Sequence, residues 1–179
     1  LMSRFQEGDT AAFNTVYGRH RGPIYRYFLR QVARNVVDDL FQEVWLRVIK
    51  GKARYRPDAP FSAYLYRIAH NVLVDHYRRM GRAPELTSIE DLELPDPGAG
   101  PECDFNQLEL RKAIAAALSD LPAAQRETFL LHQEAGLTLE QIATVVGIGK
   151  ETIKSRLRYA LNRLRQNLAG SEPADARQA

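Results

Sequence analysis

Apolar residues recur at helical spacing along the chain, and no stretch shows the strict alternation of a half-buried strand. In the N-terminal part, this pattern predicts one helix that opens at Thr10 and continues beyond Pro23, a second over residues 36–49, and a third over Phe61–Arg79. The polar run at residues 51–60 begins with a glycine and ends with a proline, so it predicts a loop. The fold class is therefore predicted to be all-α.

The C-terminal part contains two amphipathic segments joined by a short glycine turn. Thr138 and Gln141 have the spacing of a capping box, and Gly147 suits the left-handed residue that ends a helix. Between Lys150 and Arg165 there are six Lys or Arg residues and one acid. This pattern predicts a helix-turn-helix whose basic second helix enters the major groove of DNA. The alternative is a surface helix whose charges are only solvated.

An acidic stretch separates these two parts. From residue 83 to residue 110 there is no Lys or Arg, against eight acids, and four prolines interrupt the segment. Such a composition favours a linker over a packed element. The sequence thus predicts a helical domain at 1–82, an acidic linker at 83–107, a helix-turn-helix domain at 108–169, and a disordered tail at 170–179.

Composition excludes several classes of protein. Hydrophobic residues make up 45% of the chain, enough for a core, while the longest apolar runs are too short to span a membrane and the first residues do not form a signal peptide. We therefore expect a cytoplasmic protein without membrane insertion. The single Cys103 excludes an intramolecular disulfide, and the four histidines lack paired ligand spacing. No metal, cofactor or catalytic residue is predicted.

Two polar surfaces are predicted in the N-terminal domain. The helix over residues 36–49 carries a docking face made of Asp38, Asp39, Gln42 and Glu43. The next helix interleaves aromatic, amide and basic side chains, which suits unstacked bases and their phosphates. Its candidate contacts are Phe61, Ser62, Tyr64, Arg67, Asn71, Arg78 and Arg79. Taken singly, Tyr64 and Tyr66 could equally be core residues.

The order of these features resembles the extracytoplasmic-function (ECF) sigma factors of bacteria, and the resemblance covers almost the whole chain. The matching stretches are Gly8-Asp-Thr-Ala-Ala-Phe13, Asp38-Asp-Leu-Phe-Gln-Glu-Val-Trp45, Phe61-Ser-Ala-Tyr-Leu-Tyr-Arg-Ile-Ala-His-Asn71, Leu121-Pro-Ala-Ala-Gln-Arg126 and Thr152-Ile-Lys-Ser-Arg156. The resemblance implies a specificity subunit of RNA polymerase that selects promoters and is not an enzyme.

The resemblance also implies a role for each surface. The first domain would bind the polymerase clamp helices through the docking face and open the −10 element, with the loop at 51–60 and Phe61, Ser62 and Asn71 holding a flipped base. The second domain would bind the β flap and the −35 element. Its DNA contacts would be Lys150, Thr152, Lys154, Ser155, Arg156, Arg158 and Tyr159. The linker would thread through the polymerase, and an anti-sigma factor is an expected partner.

Two other functions fit parts of the sequence. A conventional regulator would dimerise through its first eighty residues and bind an operator, in which case a stable homodimer and palindromic targets are expected. An adaptor would bind polymerase without selecting promoters, and would not recognise DNA in the assembled enzyme.

Overall fold

The structure, a computed structural model, describes residues 1–81 and 105–169, with the side chains of 105–109 and 169 left out. Across these two ranges every regular element is helical. Fold class is thus as predicted. Most of the predicted linker, Cys103 and the tail at 170–179 lie outside the described residues.

The N-terminal domain contains four α-helices. They are α1 (Met2–Gln6), α2 (Thr10–Leu29), α3 (Arg34–Lys50) and α4 (Phe61–Arg79), with a short 3₁₀ helix at Lys52–Arg54 after α3. The Asp9 carboxylate caps α2 by accepting a 3.0 Å hydrogen bond from the Ala12 amide. As predicted, α2 continues through Pro23, and α4 has the predicted bounds. The sequence analysis did not predict α1.

The C-terminal domain also contains four helices. They are α5 (Phe105–Ser119), α6 (Ala123–Gln133), α7 (Leu139–Val146) and α8 (Lys150–Ala169). The first of these begins three residues inside the segment predicted as linker at 83–107. Pro122 stands at the N-cap of α6, where its missing amide hydrogen removes no helical hydrogen bond.

The core of the N-terminal domain forms where α2, α3 and α4 pack together. Fully buried side chains come from all three helices, including Phe28, Val44 and Leu65. Trp45 of α3 extends this core towards α2, because its ring packs edge-on against Phe13 and Tyr17 at centroid distances of 6.0 and 4.8 Å. The exposed outer faces of α3 and α4 are therefore held on a rigid apolar support.

The two domains pack directly on each other. Leu130, Ile142 and Val145 of the C-terminal domain belong to the same buried cluster as the core of the N-terminal domain. Contacts between α4 and α7 make a large part of this interface. A smaller cluster joins α5, α6 and α8 within the C-terminal domain and includes Leu118, Leu121 and Ala160. The sequence predicts two domains but no contact between them.

None of the helices in the described ranges is long and apolar enough to cross a membrane.

Candidate polymerase and nucleic-acid surfaces

An exposed stripe runs along the outer face of α3. We define it as Asp39, Gln42, Glu43, Leu46 and Ile49, whose spacing of three, four, seven and ten residues from the first places them on one side of a helix. Leu46 and Ile49 expose 48% and 42% of their surface, which is high for apolar side chains. The stripe therefore combines hydrogen-bond acceptors with apolar area, as a protein-docking surface does.

The other polar residues of α3 face different ways. Arg47 lies beside the stripe and donates to Glu43 at 2.7 Å and to Asp75 of α4 at 3.0 Å, so it ties the two helices together. Asp38 is exposed but lies towards α2. Burial raises the pKa of the Tyr25 hydroxyl. The hydrogen bond that this hydroxyl donates to Asp38, together with the negative charge of Asp38, raises the pKa further. Asp38 thus lies on the α2 side of the predicted docking face, about one helical turn from Gln42.

An aromatic cluster surrounds the start of α4. The ring of Tyr55 lies 5.0 Å from that of Tyr64 and 6.1 Å from that of Phe61, and Phe61 and Tyr64 are 6.0 Å apart. His20 of α2 packs edge-on against Phe61 at 5.2 Å, and burial, with the charge of Arg19, lowers the pKa of His20. Phe61 and Tyr64 are half-buried. The cluster therefore offers partly exposed ring surface for stacking.

The predicted −10 contacts on α4 form a track rather than one pocket. Arg67 and Asn71 are exposed in the middle of the helix, and Arg78 and Arg79 are exposed in its last turn. At 1.5 Å rise per residue, Phe61 and Arg78 are separated by about 26 Å along the axis. The structure brings Phe61, Ser62 and Tyr64 together beside the loop, while the terminal arginines lie at the other end.

The helix-turn-helix has the local structure that the sequence predicted. The Thr138 amide donates to Gln141 Oε1 at 2.9 Å and the Gln141 amide donates to Thr138 Oγ1 at 3.3 Å, which completes the capping box. Gly147 ends α7 in the left-handed conformation, with φ +77°. The Ile148 amide then donates to the Ala143 carbonyl at 3.1 Å, and α8 begins at Lys150.

The predicted −35 contacts occupy two faces of α8. Lys150, Thr152, Lys154, Arg158 and Tyr159 are exposed, whereas Ser155 and Arg156 are half-buried. On the opposite side, Ile153, Ala160 and Leu164 are buried and fix the rotation of the helix. The Arg158 guanidinium lies 5.2 Å from the centre of the Tyr159 ring. Exposed cations and an exposed ring thus share one surface.

A cluster of ion pairs and hydrogen bonds, which we call the interdomain clasp, joins the two domains. Glu127 of α6 accepts from the Tyr27 hydroxyl at 2.6 Å and contacts His70 Nδ1 at 2.7 Å. Glu134 pairs with Arg26 at 3.3 Å and with Arg30. Burial of Tyr27, with the nearby Glu127, raises the pKa of that hydroxyl well above its usual value. The clasp is therefore a partly buried polar contact within an apolar interface.

A pocket of about 230 Å³ lies next to the clasp, between α4, α6 and α8. Gln31, His70, Glu127 and Arg156 contribute to its wall. Arg156, which is predicted to contact phosphate, is half-buried and lines this pocket. The sequence predicts no role for His70, because a lone histidine without a nearby ligand pattern carries no local signal. No metal-binding cluster occurs among the residues that the structure describes.

The left-handed turn at Gly147 gives a prediction about stability. Replacement by alanine is expected to lower the free energy of unfolding by about 1–2 kcal/mol, because a Cβ atom is disfavoured at positive φ even where, as here, no atom lies within 4 Å. Thermal unfolding of the purified chain measures this. Gly149→Ala is the matched control, since Gly149 has equal space and no positive φ. Equal destabilisation by both substitutions would rule out backbone strain as the cause.

Family models match both domains. The model of sigma-70 region 2 matches residues 16–83, and the model of sigma-70 region 4 matches residues 117–166. These two ranges contain α3 with its stripe, α4, α7, and α8 up to residue 166. The predicted docking face, −10 contacts and −35 contacts therefore all fall within sigma-factor domains.

Several proteins are similar to this chain over most of their length. RNA polymerase sigma factor CarQ of Myxococcus xanthus is 31% identical, with 98% of this chain and 100% of CarQ covered. The ECF RNA polymerase sigma-E factor of Haemophilus influenzae is 29% identical, with 88% of this chain and 87% of that protein covered.

The fold is similar to that of the sigma factor RpoE of Bartonella quintana, solved with the anti-sigma factor NepR (TM-score 0.70, 23% identity, 90% of this chain and 99% of that chain covered). It is also similar to CnrH, solved with the cytosolic domain of CnrY (TM-score 0.68, 23% identity, 96% of each chain). This chain belongs to the ECF family of RNA polymerase sigma factors.

Proposed function

We propose that the two domains of this sigma factor use their exposed surfaces to bind different parts of RNA polymerase and of the promoter. The domain at 1–82 docks on the clamp helices of core RNA polymerase through Asp39, Gln42 and Glu43 and contacts the −10 element through the start of α4. The domain at 108–169 binds the β flap and reads the −35 element through α8. The protein acts as an initiation factor and does not catalyse a reaction itself.

The observation that carries this assignment is the stripe on α3. A basic helix-turn-helix indicates DNA binding but not polymerase binding. The stripe adds an exposed protein-docking surface on a different domain, and it includes three of the four residues predicted for that role. A regulator that dimerises through its first eighty residues would use such a surface for a second copy of itself, but the matches of the two domains to sigma-70 regions 2 and 4 support polymerase as the partner.

An anti-sigma factor is the second proposed partner, and the cytoplasm is the proposed location. Two proteins with a similar fold were solved as complexes with CnrY and with the anti-sigma factor NepR. The exposed Leu46 and Ile49 support a protein partner, because apolar area of this kind is usually covered in a complex. Such a partner would compete with polymerase for the stripe.

Reconstitution with core polymerase tests the proposal. The purified chain is mixed with sigma-free bacterial core enzyme and with a library of DNA templates randomised at both promoter elements, and the transcripts are sequenced. A one-to-one complex and enrichment of two separate DNA motifs are expected. A stable homodimer that binds a palindrome without core enzyme would replace this proposal with the operator-binding regulator. A complex without motif enrichment would indicate the adaptor.

Arg158 gives a residue-level prediction within this function. If it reads a guanine in the −35 element, Arg158→Ala should cost about 1–3 kcal/mol of discrimination at that one base position. Transcript sequencing with the same library measures this for each base. Arg163→Ala is the control, because Arg163 is an exposed cation on the same helix outside the predicted contacts. Equal loss on every sequence would assign Arg158 to a phosphate contact instead.

A further inference from the structure

The short helix α1 lies outside the range that matches sigma-70 region 2, yet it packs against the loop beside the aromatic cluster. Met2 and Phe5 are buried against the N-terminal domain. Phe5 packs on Phe13 of α2 at 4.8 Å, and the Lys52 ammonium lies 4.9 Å from the centre of the Phe5 ring. The helix is thereby anchored on one side to α2 and on the other to the 3₁₀ helix.

Gln6, the last residue of α1, ties this helix to the loop. Its Nε2 atom donates to the Lys52 carbonyl at 2.7 Å and to the Tyr55 carbonyl at 2.9 Å. Those two carbonyls bracket the 3₁₀ helix at Lys52–Arg54. Both hydrogens of one amide group are therefore used to fix the ends of a single turn, which sets the direction in which the chain enters the rest of the loop.

The turn that Gln6 fixes leads directly to the aromatic cluster. Tyr55 follows the 3₁₀ helix, only 8% of its surface is exposed, and its ring contacts both Phe61 and Tyr64. On the other side of the turn, a Cβ atom at Gly51 would come within 3.0 Å of the Tyr64 hydroxyl, so backbone and ring are already close there. A shift of the turn would therefore move Tyr55 relative to Phe61 and Tyr64.

We propose that Gln6 is a positioning residue for recognition of the −10 element. It does not touch DNA, but it holds the loop and Tyr55 in the arrangement that accepts an unstacked base beside Phe61 and Tyr64. This inference rests on the proposed function, because it needs the start of α4 to be the −10 surface. Preorganisation of this kind lowers the ordering cost of binding and sharpens the choice among bases.

Base discrimination at the −10 element distinguishes this role from general support of the fold. Gln6→Ala removes both hydrogen bonds, and Gln6→Glu keeps the shape but turns a donor into an acceptor that faces two carbonyl oxygens. We expect Gln6→Ala to reduce discrimination among bases at −10 by about three- to tenfold, and Gln6→Glu to reduce it at least as much. Affinity for core polymerase and discrimination at −35 should be unchanged. Glu7→Ala, an exposed neighbour, is the control and should match the wild type.

The same library of randomised templates serves as the probe, and thermal unfolding checks that each variant is folded. If the wild type yields no motif, the proposed function is wrong, and the role of Gln6 that rests on it is wrong as well. If the wild type yields both motifs and both Gln6 variants keep its −10 preference, Gln6 has no positioning role. An equal loss at −10 and −35 would likewise assign Gln6 to stability. Should Gln6→Ala not fold, Gln6→Glu carries the test alone.

Discussion

Alanine at Asp39, Gln42 and Glu43 together is expected to weaken binding to core polymerase by roughly thirtyfold or more. Acceptors at a docking surface pair with basic groups of the partner, and truncating one side of a desolvated charge pair costs about 2–5 kcal/mol. The three side chains are exposed or half-buried and lie outside the core, so the variant should remain folded. Titration of labelled chain with sigma-free core enzyme measures the dissociation constant.

The control for this variant follows from the position of Glu43. Its carboxylate accepts from Arg47, so the triple substitution also removes one ion pair between partly exposed groups. Asp75→Ala removes the other ion pair of Arg47, from the side facing α4, and leaves the stripe intact. Asp75→Ala should bind core enzyme as the wild type does. Equal weakening by both variants would show that the loss comes from Arg47 and not from the docking surface.

Local patterns in the sequence were sufficient to predict α2, α3, α4, α7 and α8, but not α1, α5 or α6. The helical period and the proline before Phe61 gave the bounds of α4, and Thr138, Gln141 and Gly147 gave both ends of α7. These signals act within one or two turns of a helix, which is why a single sequence contains them. The polar part of the stripe, Asp39, Gln42 and Glu43, was predictable for the same reason, whereas the exposure of Leu46 and Ile49 was not predicted.

Contacts between distant segments were not predictable in this way. The residues of the clasp are separated by 57 to 108 positions, and each occupies an unremarkable place in its own helix. Nothing near Glu127 in the sequence indicates that Tyr27 and His70 will meet it. For the same reason, the sequence does not predict that Arg156 lines one pocket with His70 and Glu127, since that placement depends on the packing of the domains.

Removing Glu127 is expected to separate the two domains. In Glu127→Ala the Tyr27 hydroxyl and the His70 ring lose their acceptor in a buried place, and a buried group left without its partner costs about 1–3 kcal/mol. The ratio of chains with packed domains to chains with separated domains should therefore fall by about tenfold or more. Resonance energy transfer between labels at Asn14 and Asn162, both exposed, measures this in a chain whose Cys103 is replaced by serine.

The outer part of the clasp supplies a control for this result. Glu134→Ala removes the pairs with Arg26 and Arg30, which are more exposed than Tyr27 and His70. Water can replace these pairs in part, so the population of separated domains should change less than in Glu127→Ala. An equal change in the two variants would show that burial of Tyr27 and His70, the partners of Glu127, is not what holds the domains together.

His70 makes the packing of the two domains dependent on pH, and its partner Glu127 determines the direction of that dependence. Burial lowers the pKa of His70, but the hydrogen bond and the charge of Glu127 outweigh burial and leave the pKa above its usual 6.5. Because the contact with Glu127 raises this pKa, protonated His70 stabilises the packing of the two domains. That stabilisation is fully present below pH 6.5 and is lost as the pH rises through the raised pKa. The group in contact with His70 is Glu127 of α6, while Arg156 of α8 and Tyr77 of α4 line the same pocket.

Energy transfer between the labels should therefore fall as the pH rises above 6.5 and through the raised pKa of His70. His70→Gln should remove this dependence, because an amide can still donate to Glu127 but does not titrate. Separation of the domains that follows the same pH profile in His70→Gln would show that another group controls it. A profile of opposite sign in the wild type would show that burial, and not Glu127, dominates the pKa of His70.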